Sequence, residues 1–595
     1  MQFFKTFLAS LLGTFLALLL LIVIMFAAIV SSSTEPEPYI RSNTVLKINL
    51  GPEIPMRTPD DPFQELFNPG KGDSPSVQSL RSNLRKAAAD ENIEGVWIET
   101  NMVNAPWANL QSVRNYLQEF QESGKFLYFS TDDIGFNEKS YYLATAADSI
   151  FSPPETGFQF SGFVAQLTFY RDMLDKIGIE PEIFRVGEYK SAVEPYLRNS
   201  STEESREQLN AILATVSNTY INAVSERTGK SADQIDEMLN SPPVDRVQYA
   251  YDNGLLDALM FSDEVEMKIK ERLNLEENDD LRTVNFGRYS RVSYDRAGVD
   301  LPDTSDKIAV IYSSGMILPE LPDSPFGSTT AITASSLKKQ LDDATSDDDV
   351  KAIVIHINSP GGSASTSDLL WHYIKQASDK VPVVASMGNV AASGGYYMAA
   401  GADTIMAAEN TITGSIGIFN LLFNAQELTS EKLGINTEVL KTHEYADLFD
   451  LSRPLTSSES DVIQRNMDKG YESFLTRVAE ARGMTRDEVD AVARGKVYTG
   501  QAALDAGLVD IVGDLDDALN VAAEMAGIEE FLIDTYPKRK DLFEALFGSA
   551  NAQIKSLMFG WIPEESRNEM NDIHTIMQQP AGHNWMLLPI KFDTN

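Results

Sequence analysis

Short apolar segments and amphipathic helical patterns alternate along this chain in two similar series. The first series has predicted strands and helices in strict alternation at 44–50, 77–90, 93–100, 111–123 and 125–131. The second series has the same order at 308–317, 334–345, 350–357, 369–377 and 381–386. This alternation is typical of βαβ units and predicts a largely parallel sheet in each series.

The two series are copies of one α/β unit. Three separated pairs of segments match at shifts of 255, 257 and 256: 141–150 with 396–405, 92–101 with 349–358, and 176–179 with 432–435. Near-constant spacing over separated matches indicates an internal duplication. Each copy continues into a long predicted helix and then a short one, at 201–228 and 231–239 in the first and at 457–482 and 485–493 in the second. The predicted fold class is therefore α/β, with one unit duplicated in tandem.

The length of 595 residues also favours several domains, since single hydrophobic cores stop growing well below that size. We predict four regions: a membrane anchor at 1–31, a first α/β unit at 32–300, a second at 301–540, and a C-terminal appendage at 541–595. The polar stretch 275–305 is the predicted linker between the units.

The predicted anchor is an uncharged apolar segment at 7–30, long enough to span a bilayer as a helix. The alternative is a cleaved signal peptide, whose apolar region would be shorter, roughly 7–15 residues. Lys5 precedes the segment and Glu35 and Glu37 follow it. This asymmetry predicts a single-pass protein with a cytoplasmic N-terminus and its units on the other side of the membrane.

Composition removes several classes of function. The 49 basic and 87 acidic side chains give a net charge of −38, which argues against nucleic acid as a partner. The chain has no cysteine, so disulfides and thiol nucleophiles are excluded. Its five histidines show no metal-binding spacing, and we expect neither a metal nor a cofactor.

The segment 387–400 carries the candidate nucleophile. The buried strand predicted at 381–386 leads into a Gly/Ala-rich turn, then Ser393, two glycines and an apolar helical run. A strand–turn–helix geometry can place a serine hydroxyl at a helix N-terminus beside unpaired backbone N–H groups. The alternative is that Ser393 is only a small residue at a tight packing site.

Each copy serves as a control for the other. Ser393 corresponds to Glu138 in the first copy, and the glycines of SPGG at 359–362 have no counterpart at 102–105. Conversely, Lys190 of the first copy corresponds to Ala446 of the second. A lysine from one copy and a serine from the other could therefore form one composite site.

A serine nucleophile needs a base, either a histidine or a neutral amine. His356 lies within a strand and is interpreted as structural, while His443 is expected nearer Glu138 than Ser393. Lys190 would act only if burial lowered its pKa by several units from about 10.4. The alternative is an ordinary surface lysine, since acidic residues flank it at 188 and 194.

Glycine turns could provide the remaining parts of such a site. The backbone N–H groups of Gly362 and Gly394 are candidates for holding a developing oxyanion. Ser415, in TGSIG at 413–417, could orient Lys190 or could simply complete a turn.

These motifs resemble the family of signal peptide peptidase A, also called protease IV, in its long duplicated form. The resemblance rests on INSPGG, ASMGNVAASGGYYMAA, TGSIGIF and GEYKSAVEPY, at 357–362, 385–400, 413–419 and 187–196. It implies a ClpP/crotonase-like fold, with Ser393 as nucleophile, Lys190 as general base and Ser415 hydrogen-bonded to the lysine.

The same resemblance implies a homotetrameric bowl tethered to the bacterial inner membrane, with its sites on the periplasmic or extracytoplasmic side. The implied substrates are released signal peptides and other extended apolar peptides. Two alternatives stay open at this point. One is a crotonase-type acyl-CoA enzyme, and the other is a catalytically silent scaffold that binds peptides.

Overall fold

The computed structural model describes residues 6–7, 13–14, 37–58, 75–242, 246–321, 330–450 and 452–538, and the backbone of 585–587. The predicted anchor at 7–30 lies almost entirely outside these residues. Within the described ranges, no helix has both the length and the apolar character needed to cross a membrane.

The first unit is a parallel sheet with helices packed against it. Its strands are β1 Thr44–Leu50, β2 Ile93–Thr100, β3 Phe126–Ser130, β4 Gly135–Phe136, β5 Ser149–Ser152, β6 Gly157–Phe158, β7 Glu180–Val186, β8 Ala258–Leu259 and β9 Thr283–Asn285. Its helices are α1 Val77–Ala89, α2 Trp107–Gln121, α3 Glu138–Ala144, α4 Arg171–Ile177, α5 Glu194–Leu197, α6 Glu203–Thr228, α7 Ala232–Leu239, α8 Arg246–Asp252, α9 Ser262–Arg272 and α10 Phe286–Ser290. The sheet order is β8-β5-β3-β2-β1-β9.

The second unit repeats this arrangement. Its strands are β10 Lys307–Ser314, β11 Met316–Ile317, β12 Ala331–Ile332, β13 Val350–Ser359, β14 Gly361–Ser363, β15 Val383–Ala392, β16 Thr404–Ala407, β17 Ile412–Gly414, β18 Ile418–Asn424, β19 Val497–Thr499, β20 Ile511–Val512 and β21 Leu532–Tyr536. Its helices are α11 Ala334–Thr345, α12 Ala364–Ser378, α13 Gly394–Ala399, α14 Ser457–Arg482, α15 Arg486–Val492, α16 Gly500–Asp505 and α17 Leu515–Ala526. The main path of the sheet is β19-β17-β15-β13-β10-β21.

The predicted tandem duplication of an α/β unit is confirmed. In both sheets the first long strand of the unit lies between the second long strand and a late edge strand: β1 between β2 and β9, and β10 between β13 and β21. Each unit has its own main hydrophobic core on one face of its sheet, and a smaller buried cluster lies on the opposite face. The closer assignment to a ClpP/crotonase-like unit and the domain boundaries stay predictions.

The predicted linker at 275–305 is wrong in its middle part. Strand β9 pairs in parallel with β1, and the α10 residues Phe286 and Tyr289 are buried in the first core. The few apolar residues of β9 and α10 lie among polar residues, so the sequence pattern did not predict these elements. Strand β9 completes the first sheet.

The predicted Gly/Ala turn before Ser393 is also corrected. Strand β15 continues through Ala392, and its last residues pair with β17. Small residues are needed here because the strand is covered closely; a Cβ on Gly388 would lie 2.9 Å from His356 Nε2. The chain therefore passes from strand to helix at Ser393 itself.

A third sheet joins the two units. Strand β7 of the first unit pairs antiparallel with β18 of the second, from Glu180 opposite Asn424 to Val186 opposite Ile418. The backbone of Trp585–Leu587, β22, lies in the same sheet between β14 and β18. The β7–β18 pairing delivers the segment after β7 to the second unit, and β22 is the described part of the predicted appendage.

Candidate active site

Ser393 lies in a strained backbone conformation between β15 and α13. Its φ of 55° and ψ of −113° are unusual for a residue with a side chain. The Ser393 N–H donates to the Gly414 carbonyl at 2.8 Å, which holds this turn against β17. A sharp strand-to-helix turn of this kind presents a serine hydroxyl in nucleophile elbows, and strain of roughly 1–3 kcal/mol persists where surrounding structure enforces it.

Lys190 reaches this serine from the other unit. The loop after β7 turns into the second unit, and Lys190 Nζ lies 2.8 Å from Ser393 Oγ. The same nitrogen lies 2.9 Å from Ser415 Oγ and 3.1 Å from the Ser415 carbonyl oxygen. The three polar side chains singled out from the sequence therefore meet at one point, within a single chain.

Burial controls the protonation of Lys190. The side chains of Lys190, Ser393 and Ser415 are all fully excluded from solvent. Loss of hydration penalises the ammonium form, so the pKa of Lys190 is held well below 10.5. A lysine in this environment can be neutral near pH 7.

The three contacts match the hydrogen-bonding capacity of a neutral amine. The Ser415 carbonyl can only accept, so one Lys190 N–H donates to it, and the second N–H can donate to Ser415 Oγ. The nitrogen lone pair is then left for the Ser393 O–H, 2.8 Å away. The geometry can therefore carry a proton from Ser393 to Lys190.

Three glycines that the sequence analysis did not single out make this approach possible. A Cβ on Gly495, whose φ is +82°, would lie 2.6 Å from Lys190 N, and one on Gly417 would lie 3.3 Å from Lys190 Cδ. Gly187, with φ of +102°, would place a Cβ 2.3 Å from the Arg494 carbonyl oxygen. Gly187 and Gly417 lie inside motifs already noted, whereas nothing in the local pattern around Gly495 marks it.

Gln208 is a further residue near the site that the sequence did not reveal. Its buried amide nitrogen donates to Ser191 Oγ at 3.0 Å and to the Tyr189 carbonyl at 3.3 Å. Its amide oxygen accepts from the Val497 N–H at 3.1 Å. This side chain, on α6, therefore ties the Lys190 loop to the second unit.

The two glycines predicted to bind an oxyanion lie next to each other. A Cβ on Gly394 would lie 3.2 Å from Gly362 N and 2.5 Å from Ser367 Oγ. At Gly362, a Cβ would lie 2.0 Å from the Ile317 carbonyl oxygen. Only glycine fits at either position. The Gly394 N–H begins α13 and has no partner inside the helix, whereas Gly362 lies within strand β14, between β11 and β22. Their role as oxyanion donors stays a prediction.

The histidines lie elsewhere in the described part of the chain. His356 is buried in β13, with Nδ1 3.4 Å from Ser386 Oγ, and burial lowers its pKa to about 4. His443 lies on an exposed loop. In the first unit, Glu138 is buried and accepts from the Ser161 N–H at 2.9 Å. None of these groups is placed to deprotonate Ser393.

A family comparison agrees with the duplicated fold. The model of peptidase family S49 matches residues 119–276 and 375–529. The second match begins at residue 375, which is 256 positions after residue 119, so the two matches reproduce the internal repeat. These matches define the chain as a serine peptidase, a hydrolase of peptide bonds. It belongs to peptidase family S49.

Individual relatives extend over most of the chain. "Serine protease SPPA, chloroplastic" of Arabidopsis thaliana is 35% identical over 495 residues, which cover 83% of this chain and 71% of the relative. "Protease 4" of Salmonella typhi is 32% identical over 495 residues, covering 81% and 77%. "Putative signal peptide peptidase SppA" of Enterococcus faecium is 32% identical over 217 residues, covering 36% and 63%. The recognition of the long duplicated family form is confirmed.

Proposed function

We propose that this chain is a membrane-anchored endopeptidase that degrades released signal peptides with Ser393 as nucleophile and Lys190 as general base. The observation that carries the proposal is the 2.8 Å contact between Lys190 Nζ and Ser393 Oγ inside a fully buried site. Membership in a peptidase family favours this function over the acyl-CoA enzyme and the silent scaffold.

Acylation begins when the Ser393 proton passes to the neutral Lys190 amine and Oγ bonds to the carbonyl carbon of the substrate. The oxyanion that forms accepts hydrogen bonds from the Gly362 and Gly394 N–H groups. The Lys190 ammonium then gives its proton to the leaving amine as the C–N bond breaks. Ser415 keeps the amine oriented through the contact of 2.9 Å.

Deacylation uses water in the same way. A water molecule gives a proton to Lys190 and bonds to the acyl carbon, and the Ser393 ester breaks as the proton returns to Oγ. The products are a carboxylic acid and the free serine. Both half-reactions need only groups that this chain provides.

The expected substrates are extended apolar peptides. A buried apolar cluster of Val193, Leu318 and Phe419 begins three residues after Lys190. The protein interior next to Lys190 is therefore apolar, which agrees with a preference for small or aliphatic side chains of a substrate. The name of the Enterococcus relative refers to signal peptides. We therefore place this chain among peptidases of the hydrophobic remnants left after protein export.

The location and assembly follow from the same proposal. The uncharged segment at 7–30 would anchor the chain in a bacterial inner membrane, with the site on the extracytoplasmic side. A homotetrameric bowl would admit extended peptides and exclude folded proteins.

The test is covalent labelling of the full chain with a serine-reactive fluorophosphonate, followed by peptide mapping. We expect one label on Ser393, at least 100-fold slower labelling in Lys190→Ala, and unchanged labelling in the control His356→Gln. Equal labelling rates in the wild type and Lys190→Ala would overturn the role of Lys190. Signal-peptide turnover in the same samples separately tests the substrate.

A further inference from the structure

Lys190 is the central residue of a tight backbone turn. Its φ of −76° and ψ of 77° are those of an inverse γ-turn, and the Ser191 N–H donates to the Tyr189 carbonyl across the turn at 2.8 Å. Because the backbone at Lys190 sets the direction in which its side chain leaves the loop, the place of the amine depends on how firmly the two ends of the turn are held.

One side chain contacts both ends of this turn. The Gln208 amide nitrogen donates to the Tyr189 carbonyl at 3.3 Å and to Ser191 Oγ at 3.0 Å, while the amide oxygen accepts from the Val497 N–H at 3.1 Å. A carbonyl only accepts and a backbone N–H only donates, so these partners determine which way round the amide lies. Gln208 is only 2% exposed, so water does not compete for these hydrogen bonds.

The other end of this connection is the pair of strands that holds the nucleophile. Val497 begins β19 and lies opposite Gly414 of β17. The Gly414 carbonyl accepts from the Ser393 N–H at 2.8 Å. Gln208 therefore connects the turn that carries Lys190 to the strands that support Ser393.

The second copy shows what replaces this amide where the lysine is missing. Helices α6 and α14 both have 26 residues, with threonine N-caps at 202 and 456 and glycine C-caps at 229 and 483. This equal spacing aligns Gln208 with Val462, whose side chain can form none of the three hydrogen bonds. The copy that has Ala446 in place of Lys190 thus also lacks the amide.

We propose that Gln208 is a positioning residue of the active site, which holds both ends of the Lys190 turn and so keeps the amine buried against Ser393. This role rests on the function proposed above, in which Lys190 is the base. An amide can perform it because one neutral group both donates to the turn and accepts from β19.

The electrostatic surroundings make this position important. Three carboxylates in the loop and helices around the turn have partners other than the Lys190 amine: Glu188 with Arg494 at 3.2 Å, Glu207 with Lys496 at 3.0 Å, and the buried Glu194 with the Thr202 hydroxyl at 2.7 Å. Burial is the cause that lowers the pKa of Lys190. A loosened turn would admit water to the amine and raise its pKa towards the ordinary value.

The test is the pH dependence of Ser393 labelling by the fluorophosphonate in the full chain carrying Gln208→Met. Methionine keeps the length of the side chain and removes all three hydrogen bonds. We expect the midpoint of the rate to rise by about one pH unit, and the rate below both midpoints to fall about tenfold, because less of the amine is then neutral.

Thr219→Val is the matched control. Thr219 is buried on the same helix, and its hydroxyl accepts from the Asn410 amide of the second unit at 3.0 Å. The variant removes a buried hydrogen bond between the units without touching the Lys190 turn. It should lower the free energy of unfolding and leave the midpoint of labelling unchanged.

Ser191→Ala tests the same contact from the side of the turn. It removes one of the three hydrogen bonds and should raise the midpoint by a smaller amount, and it should add no further shift to Gln208→Met, where that contact is already lost. A wild-type midpoint in folded Gln208→Met, or in Ser191→Ala if Gln208→Met does not fold, would overturn the proposal. Labelling of Lys190→Ala at the wild-type rate would instead contradict the catalytic function on which the proposal rests.

Discussion

The starts of helices α3 and α13 show what distinguishes the two units. In the first unit, Asn137 caps α3 at φ −102° and forms a capping box with Ser140. In the second, Ser393 begins α13 at φ 55° and makes no side-chain cap. A cap stabilises a helix by about 0.5–2 kcal/mol, whereas strain costs about 1–3 kcal/mol. The backbone at the start of α3 is therefore relaxed, whereas the backbone at the start of α13 is strained and holds the Ser393 hydroxyl in place.

The segments after β7 and after its counterpart show the reverse difference. Lys190 is fully buried against the second unit, while its counterpart Ala446 lies on an exposed loop. In the proposed mechanism, duplication has thus separated the roles: one copy positions the nucleophile and the other delivers the base. If this account is right, changes at corresponding positions should have unequal effects.

The largest difference in kcat is expected between the variants Ser393→Ala and Glu138→Ala. Ser393→Ala should lower kcat on a fluorogenic apolar peptide by a factor on the order of 10⁴ or more, because the nucleophile is lost. Glu138→Ala should leave kcat within about twofold and lower the free energy of unfolding by about 1–3 kcal/mol, since the Ser161 N–H loses its buried acceptor. Similar kcat losses in both variants would remove the distinction between the units.

A smaller effect is expected at Gly495. In Gly495→Ala the new Cβ would lie 2.6 Å from Lys190 N and would displace the base. A misplacement of about 1 Å can cost on the order of 100-fold in rate, so we expect a kcat loss of that size. Gly483→Ala is the matched control, because Gly483 also has a positive φ, 62°, but open space around it. It should lose stability and keep its kcat.

Ser415→Ala should have a more modest effect. The variant removes the hydroxyl contact of 2.9 Å to Lys190 but keeps the carbonyl contact of 3.1 Å. A lost hydrogen bond of about 1 kcal/mol corresponds to a five- to tenfold lower kcat. Ser161→Ala, at a first-unit serine whose hydroxyl lies 3.4 Å from Glu138 Oε1, should leave kcat unchanged in the same assay.

The smallest effect on activity is expected at Asn137. Asn137→Ala should lower the free energy of unfolding by about 1 kcal/mol through loss of the α3 cap. Chemical denaturation would measure this change. The rate on the peptide should not change, and a clear loss of activity would indicate that the first unit still shapes the site.

The sequence was most informative where the two copies could be compared. The missing glycines at 102–105 and the Lys190–Ala446 difference identified the residues that the structure brings together. The roles of Gly495 and Gln208 were not predicted, because these residues act through contacts between units and neither belongs to a local motif. Strand β9 was not predicted because Val284 is its one apolar residue and polar residues surround it. In each of these cases the residues matter because of contacts with parts of the chain that are distant in sequence.

The central claim is that neutral Lys190 deprotonates Ser393, and its most direct test is the pH dependence of Ser393 labelling. Burial lowers the pKa of Lys190 well below 10.5, so the reactive neutral amine is present above the lowered pKa and is lost as the pH falls through it. We predict that the fluorophosphonate rate rises with pH along one sigmoid whose midpoint lies well below 10.5.

In Lys190→Ala the same measurement should give a slow rate without this sigmoid, and Lys139→Ala, at a buried lysine of the first unit, should keep the wild-type profile. An identical pH profile in wild type and Lys190→Ala would contradict the account.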